Sequence, residues 1–252
     1  PLFGKNVIVT RSRTQSSSLV SKISDLGGNP IEVTTIKIEK IENNIALENE
    51  IKNIKDYTYL ILTSKNAVDI FFDKLDEMDL DSRVLANLKV CAIGSATAKE
   101  IKNRGIKADI VPEKFVAEYL FEELKDILKD SDKVLIPRSK NARDFLVDKI
   151  SEICEVKEVH IYETVLDDSK KDEVLDILNS GEADYITFAS SSTVTNFVDI
   201  IGKENIDKLN ELKVISIGPI TTQTAKSLNI NVYNEAEVST IDGMIDSIMN
   251  DK

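Results

Sequence analysis

The feature that most constrains this chain is an internal repeat. Three segments of the first half resemble three segments of the second half, in the same order and each time offset by roughly 125 residues. The matching pairs are residues 5–28 and 132–155, residues 56–72 and 182–198, and residues 88–112 and 212–236. Three pairs in register indicate a duplication, so both halves are expected to adopt the same kind of fold.

Each repeated segment contains a short apolar run that is followed by a helical pattern. The runs are uninterrupted and rich in β-branched residues, which is typical of strands buried on both faces of a parallel sheet. After Thr63 and Ser64, the apolar residues Ala67, Val68 and Phe71 have the spacing of one helix face. The alternation of strand and helix predicts a three-layer α/β domain, and the duplication predicts two of them.

The repeat leaves two ways of dividing the chain into domains. Contiguous halves would lie near residues 1–115 and 130–240. Alternatively, Ile31–Ile41 and Val156–Val165 form long strands that cross between the domains. In the second arrangement one domain contains both chain ends, and the other is inserted between them.

Composition and charge exclude several functional classes. A net charge of −12 argues against a nucleic-acid partner. No charged, apolar and small-residue leader opens the sequence, so secretion is not expected, and no run of about 18 apolar residues predicts a membrane span. The cysteines, Cys91 and Cys154, are expected to be buried and reduced, and with the single histidine they form no metal cluster. We therefore expect a cytoplasmic protein with no metal and no membrane partner. Since the chain opens with Pro1, we also expect that it derives from a longer polypeptide.

Small, hydroxylated or basic residues follow each predicted strand, directly before a helix. Because ligands of open parallel sheets bind beyond the carboxyl ends of the strands, these residues are candidates for a binding site. The candidates are Arg11, Thr63, Ser64, Asn66, Arg138, Ser190, Ser191, Ser192, Gly218 and Thr222. For any one serine, threonine or asparagine, a simple role as a helix N-cap is the alternative.

Arginine is concentrated in these loops. Of the 6 arginines, which stand beside 26 lysines, Arg11, Arg13, Arg138 and Arg143 lie in or just after the first loop of each repeat. Arginine suits two-point contacts with carboxylates, although a surface or interdomain salt bridge is the alternative. Helix N-termini also bind anions. The loops therefore predict an anionic ligand despite the acidic surface, and they lack the nucleotide motifs GxxxxGK[ST] and GxGxxG.

Several of these loops together resemble the uroporphyrinogen-III synthase family. The resemblance rests on T-S-K-N-A, A-S-S-S-T-V and I-G-P-x-T-T, on the strand end T-R, and on Tyr-Glu-Thr at 162–164, and it spans roughly residues 3–245. The opening P-L-F-G-K-N-V-I-V-T-R looks like the synthase part of fusions with a uroporphyrinogen methyltransferase. One departure is the loop G-S-A-T-A at 94–98, which lacks the proline of its repeat partner and is expected to contribute less.

The resemblance implies a fold and an activity. The fold is a pair of flavodoxin-like α/β domains, residues 1–36 plus 164–252 and residues 37–163, with a two-stranded connection and an active cleft between them. The implied enzyme is a cyclising lyase of haem, sirohaem and cobalamin biosynthesis. It closes hydroxymethylbilane, a linear tetrapyrrole polycarboxylate, to uroporphyrinogen III with inversion of ring D and loss of water, and it uses no cofactor. We expect a monomer that is fused to, or cooperates with, a methyltransferase.

Two residues carry over from the family as catalytic candidates. Tyr162 would donate a hydrogen bond to the departing hydroxyl, and Thr221 would position that hydroxyl; hinge packing and an N-cap role are the respective alternatives. His160 lies two residues before Tyr162, so on an extended strand both would face the same side, and His160 is a second candidate for the acid. As a whole function, the alternative is a two-domain module that binds or senses small anions without catalysis.

Overall fold

Strands and helices alternate along the chain in the computed structural model, which describes residues 2–11 and 17–250. The strands are β1 (Asn6–Arg11), β2 (Asn29–Thr34), β3 (Ile36–Lys40), β4 (Tyr59–Leu62), β5 (Lys89–Ala92), β6 (Lys133–Ser139), β7 (Glu155–Leu166), β8 (Tyr185–Phe188), β9 (Lys213–Ser216) and β10 (Val232–Glu235). The helices are α1 (Ser17–Asp25), α2 (Ile45–Lys52), α3 (Lys65–Glu77), α4 (Ser95–Asn103), α5 (Ala117–Leu124), α6 (Phe145–Ser151), α7 (Lys171–Ser180), α8 (Ser191–Ile201), α9 (Ile206–Leu209), α10 (Pro219–Ser227) and α11 (Ile241–Met249). Short 3₁₀ helices lie at Ile54–Asp56, Ser82–Leu85 and Lys203–Asn205. The predicted α/β class is confirmed.

The chain divides into two compact units. The first unit consists of Pro1–Lys37 and Val165–Lys252, and the second is the continuous segment Ile38–Thr164. Both divisions fall inside strands, one in β3 and the other in β7. The first unit is therefore discontinuous in sequence, and the second is inserted into it.

The first unit is built on a sheet with the strand order β10-β9-β8-β1-β2, in which neighbouring strands are parallel. Alternate residues of β1 enter opposite cores. Ile8 packs with residues of α7, α8 and α10, whereas Val7 and Val9 pack with residues of α1 and α11. Helices thus cover both faces of this sheet. In the unit's own strand numbering the order is 2-1-3-4-5, as in flavodoxin-type sheets.

The second unit has the strand order β3-β7-β6-β4-β5, and the pairs from β7 to β5 are parallel. Leu60 and Leu62 of β4 pack with residues of α2, α3 and α4, whereas Tyr59 and Ile61 pack with residues of α5 and α6. Strands β6, β4 and β5 have the same spatial order as β1, β8 and β9, their counterparts in the sequence repeat, and β7 and β2, the strands that follow β6 and β1, lie at matching places. Helix N-termini consequently follow the carboxyl ends of the strands in both units.

One of the two predicted crossing strands is interrupted. Residues 31–41 do not form a single strand, because β2 ends at Thr34 and β3 begins at Ile36. Strand β2 pairs with β1 in one sheet and β3 neighbours β7 in the other, so each follows the direction of its own sheet. The second predicted strand is continuous as β7. Among the described residues, no helix has both the length and the apolar character that crossing a membrane requires.

Candidate active site

A pocket of about 190 Å³ lies at the carboxyl ends of β4, β5 and β6 in the second unit. Helix α3, which follows β4, packs on one face of the sheet, and α6, which follows β6, packs on the other. Because the chain leaves β4 and β6 toward opposite faces of the sheet, a topological switch point lies between these neighbouring strands. Parallel sheets commonly bind ligands at such points. Four of the binding and catalytic candidates line it, namely Thr63, Ser64, Arg138 and Tyr162, and so does Arg143 from the group of loop arginines. The lining also includes Ile93, Ala117 and Leu146, which the sequence did not single out.

The hydroxyls of Ser64 and Tyr162 lie 2.8 Å apart, so one of them donates a hydrogen bond to the other. Tyr162 is 6% exposed, and its ring belongs to the core that also contains residues of α3. Ser64 is the N-cap of α3, and its Oγ accepts a hydrogen bond from the backbone N–H of Ala67 at 3.0 Å. The phenol is therefore held between a strand and a helix terminus. A fixed O–H donor in such a pocket suits general-acid chemistry.

A β-bulge separates Tyr162 from His160. Arg138 of β6 pairs with His160 and Ser139 pairs with Tyr162, so Ile161 is an extra residue of β7. Ile161 and Tyr162 consequently both enter the same core, whereas His160 is exposed and its Nε2 lies 2.8 Å from a carboxylate oxygen of Glu158. The prediction that His160 and Tyr162 face the same side is wrong, because it assumed a regular strand. His160 lies outside the pocket lining.

Arg138 is buried, at 3% exposure, and its guanidinium is engaged by neighbouring groups of its own unit. Its Nε donates to Glu158, and one terminal nitrogen donates to Asp144. Its terminal nitrogens also donate to the backbone carbonyls of Arg143 at 2.7 Å and Ala142 at 3.3 Å. These bonds hold the loop between β6 and α6, which forms one wall of the pocket. A substrate carboxylate would have to compete with them for this guanidinium.

The other predicted residues of this unit are more open. The Arg143 side chain is 69% exposed and binds both carboxylate oxygens of Glu118, at 2.8 and 3.3 Å. These hydrogen bonds hold the pKa of Glu118 below its ordinary value. Thr63 is half-buried in the pocket lining, and Asn66 lies in the first turn of α3, beyond the lining. The pocket therefore has an exposed arginine at its edge and a buried one in its wall.

In the first unit, the predicted loops after β8 and β9 touch each other. Ser190 is the N-cap of α8 and accepts from the backbone N–H of Thr193 at 3.3 Å, and its hydroxyl lies 3.0 Å from that of Ser192. The Ser191 hydroxyl donates to the carbonyl of Ile220 at 3.3 Å, which joins the 190–192 loop to the loop at Gly218. These hydroxylated residues thus form a second group, at the carboxyl ends of β8 and β9 in the first unit.

Thr221 and Thr222 are buried in the first turn of α10, at 4% and 9% exposure. The Thr222 hydroxyl lies 2.5 Å from that of Ser216, and the Thr222 N–H donates to the carbonyl of Gly218 at 3.0 Å. Thr222 is therefore part of the internal bonding of its loop. For the Thr221 hydroxyl, the described residues provide no hydrogen-bond partner.

Four helices begin within three residues of the carboxyl end of a strand, namely α3, α4, α8 and α10. The first N–H groups of a helix have no intrahelical carbonyl to bind, and together with the helix dipole they attract anions. Side-chain caps satisfy one such N–H in α3 and one in α8, whereas Gly94 before α4 and Gly218 before α10 bring no capping side chain. Backbone donors for carboxylates are therefore available in both units.

Some predicted residues lie outside the part of the chain that the structure describes. Arg11 ends β1, where its backbone pairs with Thr34, and nothing is described of its side chain. Arg13 of the same predicted loop lies outside the described residues. Within residues 2–11 and 17–250, no group of three or more His, Cys, Asp or Glu side chains has the arrangement of a metal site. The free thiols of Cys91 and Cys154 are buried, as the sequence predicted, and burial raises the pKa of Cys91 to about 12.

A family model described as uroporphyrinogen-III synthase HemD matches residues 17–246. A porphyrin biosynthesis protein HemD of Ruminiclostridium josui is 38% identical over 250 residues, which are 99% of this chain and 49% of that protein. This chain thus spans about half the length of that relative. A uroporphyrinogen-III synthase of Synechococcus elongatus is 30% identical over 251 residues, covering 97% of this chain and 94% of that protein.

One solved structure supports the fold. A mutant uroporphyrinogen III synthase from the extremely thermophilic bacterium Thermus thermophilus superposes with a TM-score of 0.58, covers 97% of both chains and is 16% identical in sequence. At this identity the match concerns the arrangement of strands and helices. The family model and the sequence relatives show which family the chain belongs to, and they do not support the alternative of a binding or sensing module.

Proposed function

The chain belongs to the uroporphyrinogen-III synthase family, whose members are cyclising lyases of tetrapyrrole biosynthesis, and we propose that it closes hydroxymethylbilane at the pocket around Tyr162. The observation that carries this assignment is the buried Tyr162 hydroxyl, fixed at 2.8 Å from Ser64 in a pocket at the switch point of the sheet. In the reaction, the C–O bond of the hydroxymethyl group breaks and water leaves. The methylene carbon left behind then forms a bond to ring D, while the bond between ring D and its bridging methylene breaks and re-forms at the other α-carbon of that ring, which loses one proton. The product is uroporphyrinogen III.

Tyr162 is proposed to assist the departure of the hydroxyl group. The electron-rich pyrrole that bears the hydroxymethyl group drives the C–O bond to break, so the enzyme has to supply only modest acid assistance and control of geometry. A hydrogen bond from the phenol O–H to the leaving oxygen provides that assistance. Thr221 is proposed to position the same oxygen, a role for which its hydroxyl has no competing partner among the described residues.

Carboxylate binding is proposed to rest mainly on backbone N–H groups at the helix N-termini. A carboxylate at a helix N-terminus gains about 0.3–1 kcal/mol, so eight carboxylates would gain roughly 2–8 kcal/mol, which corresponds at most to about micromolar binding. Binding of this kind needs no basic surface and is compatible with a net charge of −12. Thr63, Asn66, Ser190, Ser191, Ser192, Gly218 and Thr222 are proposed to shape these sites, together with Arg11 and Arg138.

The arrangement of the whole protein is also a proposal. We infer that the two units are domains that arose by duplication, and the limits of the units lie one residue beyond the predicted divisions at 36/37 and 163/164. The shared strand order of the two sheets supports this inference. A cytoplasmic monomer that is fused to, or works beside, a uroporphyrinogen methyltransferase stays a prediction, which the size of the native polypeptide in cell extracts would test.

Product analysis tests the proposed function. The protein is supplied with hydroxymethylbilane, the products are oxidised, and the uroporphyrin isomers are separated; an excess of type III over the spontaneous type I isomer is expected. Tyr162→Phe should lower kcat by a factor within or below about 10²–10⁴ while the fold is kept. A matched control is Tyr57→Phe, which removes another buried, hydrogen-bonded phenol of the same unit and should leave kcat unchanged. Formation of type I alone by the wild-type protein would contradict the assignment.

A further inference from the structure

Ser64 stands in the middle of a short chain of hydrogen bonds that leads into the pocket. The backbone N–H of Ala67, in the first turn of α3, donates to Ser64 Oγ at 3.0 Å. The same oxygen lies 2.8 Å from Tyr162 Oη. Ser64 and Tyr162 both line the pocket, although they lie far apart in sequence and belong to different elements. The contact therefore links the positive end of a helix to the proposed acid.

The direction of the Ser64–Tyr162 hydrogen bond decides which residue keeps a free proton. If Ser64 donates, the Tyr162 proton is available to a group in the pocket; if Tyr162 donates, the available proton is that of Ser64. Ser64 already accepts the N–H of Ala67, and accepting a hydrogen bond strengthens an O–H as a donor. The N-terminus of α3 also favours negative charge nearby, and such charge develops on a phenol oxygen that gives up its proton. Both effects favour Ser64 as donor and Tyr162 as acceptor.

We propose that Ser64 is a positioning residue for Tyr162, whose hydroxyl donates to the phenol oxygen, directs the phenol proton into the pocket and stabilises the charge that forms on Tyr162. The proposal rests on the proposed function, because it presupposes that Tyr162 assists the leaving group. It assigns Ser64 a role different from direct substrate binding. In this chain the Ala67 N–H donates to Ser64 Oγ, the Ser64 O–H donates to Tyr162 Oη, and the Tyr162 O–H donates to the leaving oxygen, which accepts.

The central experiment is a double-mutant cycle between Ser64→Ala and Tyr162→Phe, with kcat and KM measured on hydroxymethylbilane. Ser64→Ala should lower kcat about tenfold, the equivalent of one ordinary hydrogen bond, and change KM little. In the Tyr162→Phe background the same change should have no further effect, because the oxygen on which Ser64 acts is gone. Equal losses of kcat in both backgrounds would overturn the proposal. So would a Tyr162→Phe enzyme that keeps wild-type kcat while Ser64→Ala is inactive, since that result makes Ser64 the final donor.

Two further variants separate hydrogen-bond donation from helix capping. Threonine and aspartate both serve as N-caps, but only threonine has a hydroxyl proton to donate. Ser64→Thr should therefore restore kcat to near wild type, whereas Ser64→Asp should fold normally and lose at least as much kcat as Ser64→Ala. An active Ser64→Asp enzyme would overturn the proposal. Asp81→Ala, which removes an N-cap outside the pocket, controls for a general loss of capping and should leave kcat unchanged.

Failure of this proposal is distinguishable from failure of the proposed function. If the wild-type protein gives only the type I isomer, the proposed function fails and the cycle has no activity to act on. If it gives type III and the two substitutions are additive, the synthase assignment stands and the role of Ser64 is wrong. Thermal unfolding of every variant shows in each case whether the protein measured is folded.

Discussion

Arg138 Nε donates to Glu158 across the neighbouring strands β6 and β7, and this bond anchors a wall of the pocket. The guanidinium is 3% exposed, and it also holds two carbonyls of the following loop. Removing one partner of a buried ion pair leaves the other without compensation, which is costly. Arg138 therefore has a structural role, in addition to the predicted contact with substrate.

We expect Arg138→Ala to lower the free energy of unfolding by about 3 kcal/mol, at the low end for a broken buried pair because Glu158 is partly exposed. It should also raise KM more than it lowers kcat, because the pocket wall loses its anchor. Urea denaturation and steady-state kinetics measure the two effects. Arg143→Ala is the matched control. The Arg143 side chain is 69% exposed, so its salt bridge with Glu118 should contribute less than about 1 kcal/mol to the free energy of unfolding. Equal destabilisation by both changes would contradict the role given to Arg138.

Gly94 lies against Phe115 at the edge of the pocket. A Cβ at position 94 would come within 2.8 Å of the Phe115 Cβ and Cγ, and the backbone there is extended, so crowding rather than backbone strain is the problem. Gly94→Ala should lower the free energy of unfolding by about 1 kcal/mol and raise KM, since the neighbouring residues Ile93 and Ala117 line the pocket. In a Phe115→Gly background, which removes the contacting atoms, the cost should disappear. An unchanged cost there would show that crowding by Phe115 is not the cause.

Thr221 in α10 and Thr97 in α4 occupy the same place in the two repeats, and both are buried. For either hydroxyl, residues 2–11 and 17–250 provide no hydrogen-bond partner. Removing an unsatisfied buried hydroxyl does not cost a hydrogen bond, so Thr221→Val and Thr97→Val should leave the free energy of unfolding unchanged or raise it by up to about 1 kcal/mol. Only Thr221→Val should lower kcat, if Thr221 positions the leaving group. Equal kinetic losses in both variants would point to a shared structural cause.

The pH dependence of stability can be predicted at Asp184. Burial raises its pKa, but hydrogen bonds from Lys5 at 2.6 Å and from the N–H of Asn6 at 2.9 Å outweigh burial, and the pKa is lowered. A lowered folded-state pKa means that this carboxylate stabilises the fold above its ordinary pKa, and that the contribution is lost as pH falls through the folded-state value. Asp184→Asn should be less stable than wild type at neutral pH and converge with it in acid. A gap that stays constant from neutral pH down through the carboxyl range would contradict this.

The α/β class and several site residues were predictable from the sequence, because both depend on local patterns. Strand runs buried on both faces are continuous and apolar, and the residues that follow them must lie at one edge of a parallel sheet. That reasoning placed Thr63, Ser64 and Arg138 at strand ends, and the family resemblance added Tyr162; all four line one pocket.

Other features depend on pairing between strands, which leaves no local signal. At the bulge, seven residues of β6 pair along a stretch of β7 that is one residue longer, with Ile161 as the extra residue. No residue type in the sequence marks this position. The bond from Arg138 to Glu158 was likewise hidden, since Glu158 reaches Arg138 only through the pairing of β6 with β7. Strands β2 and β3 are separate because β2 neighbours β1 in one sheet and β3 neighbours β7 in the other. The sequence of residues 31–41 shows no break and predicts a single extended strand.

The insertion of the second unit into the first sets an order for biosynthesis. Strands β1 and β2 leave the ribosome before the inserted unit, but β8, β9 and β10, which complete their sheet, follow only after residue 164. All strands of the second sheet are present once β7 has been made. During translation the inserted unit is therefore able to fold while β1 and β2 still lack their neighbour β8. The apolar residues of β1 and β2 therefore lack their neighbour until β8 has been made, and in that interval they are available to chaperones or to other nascent chains.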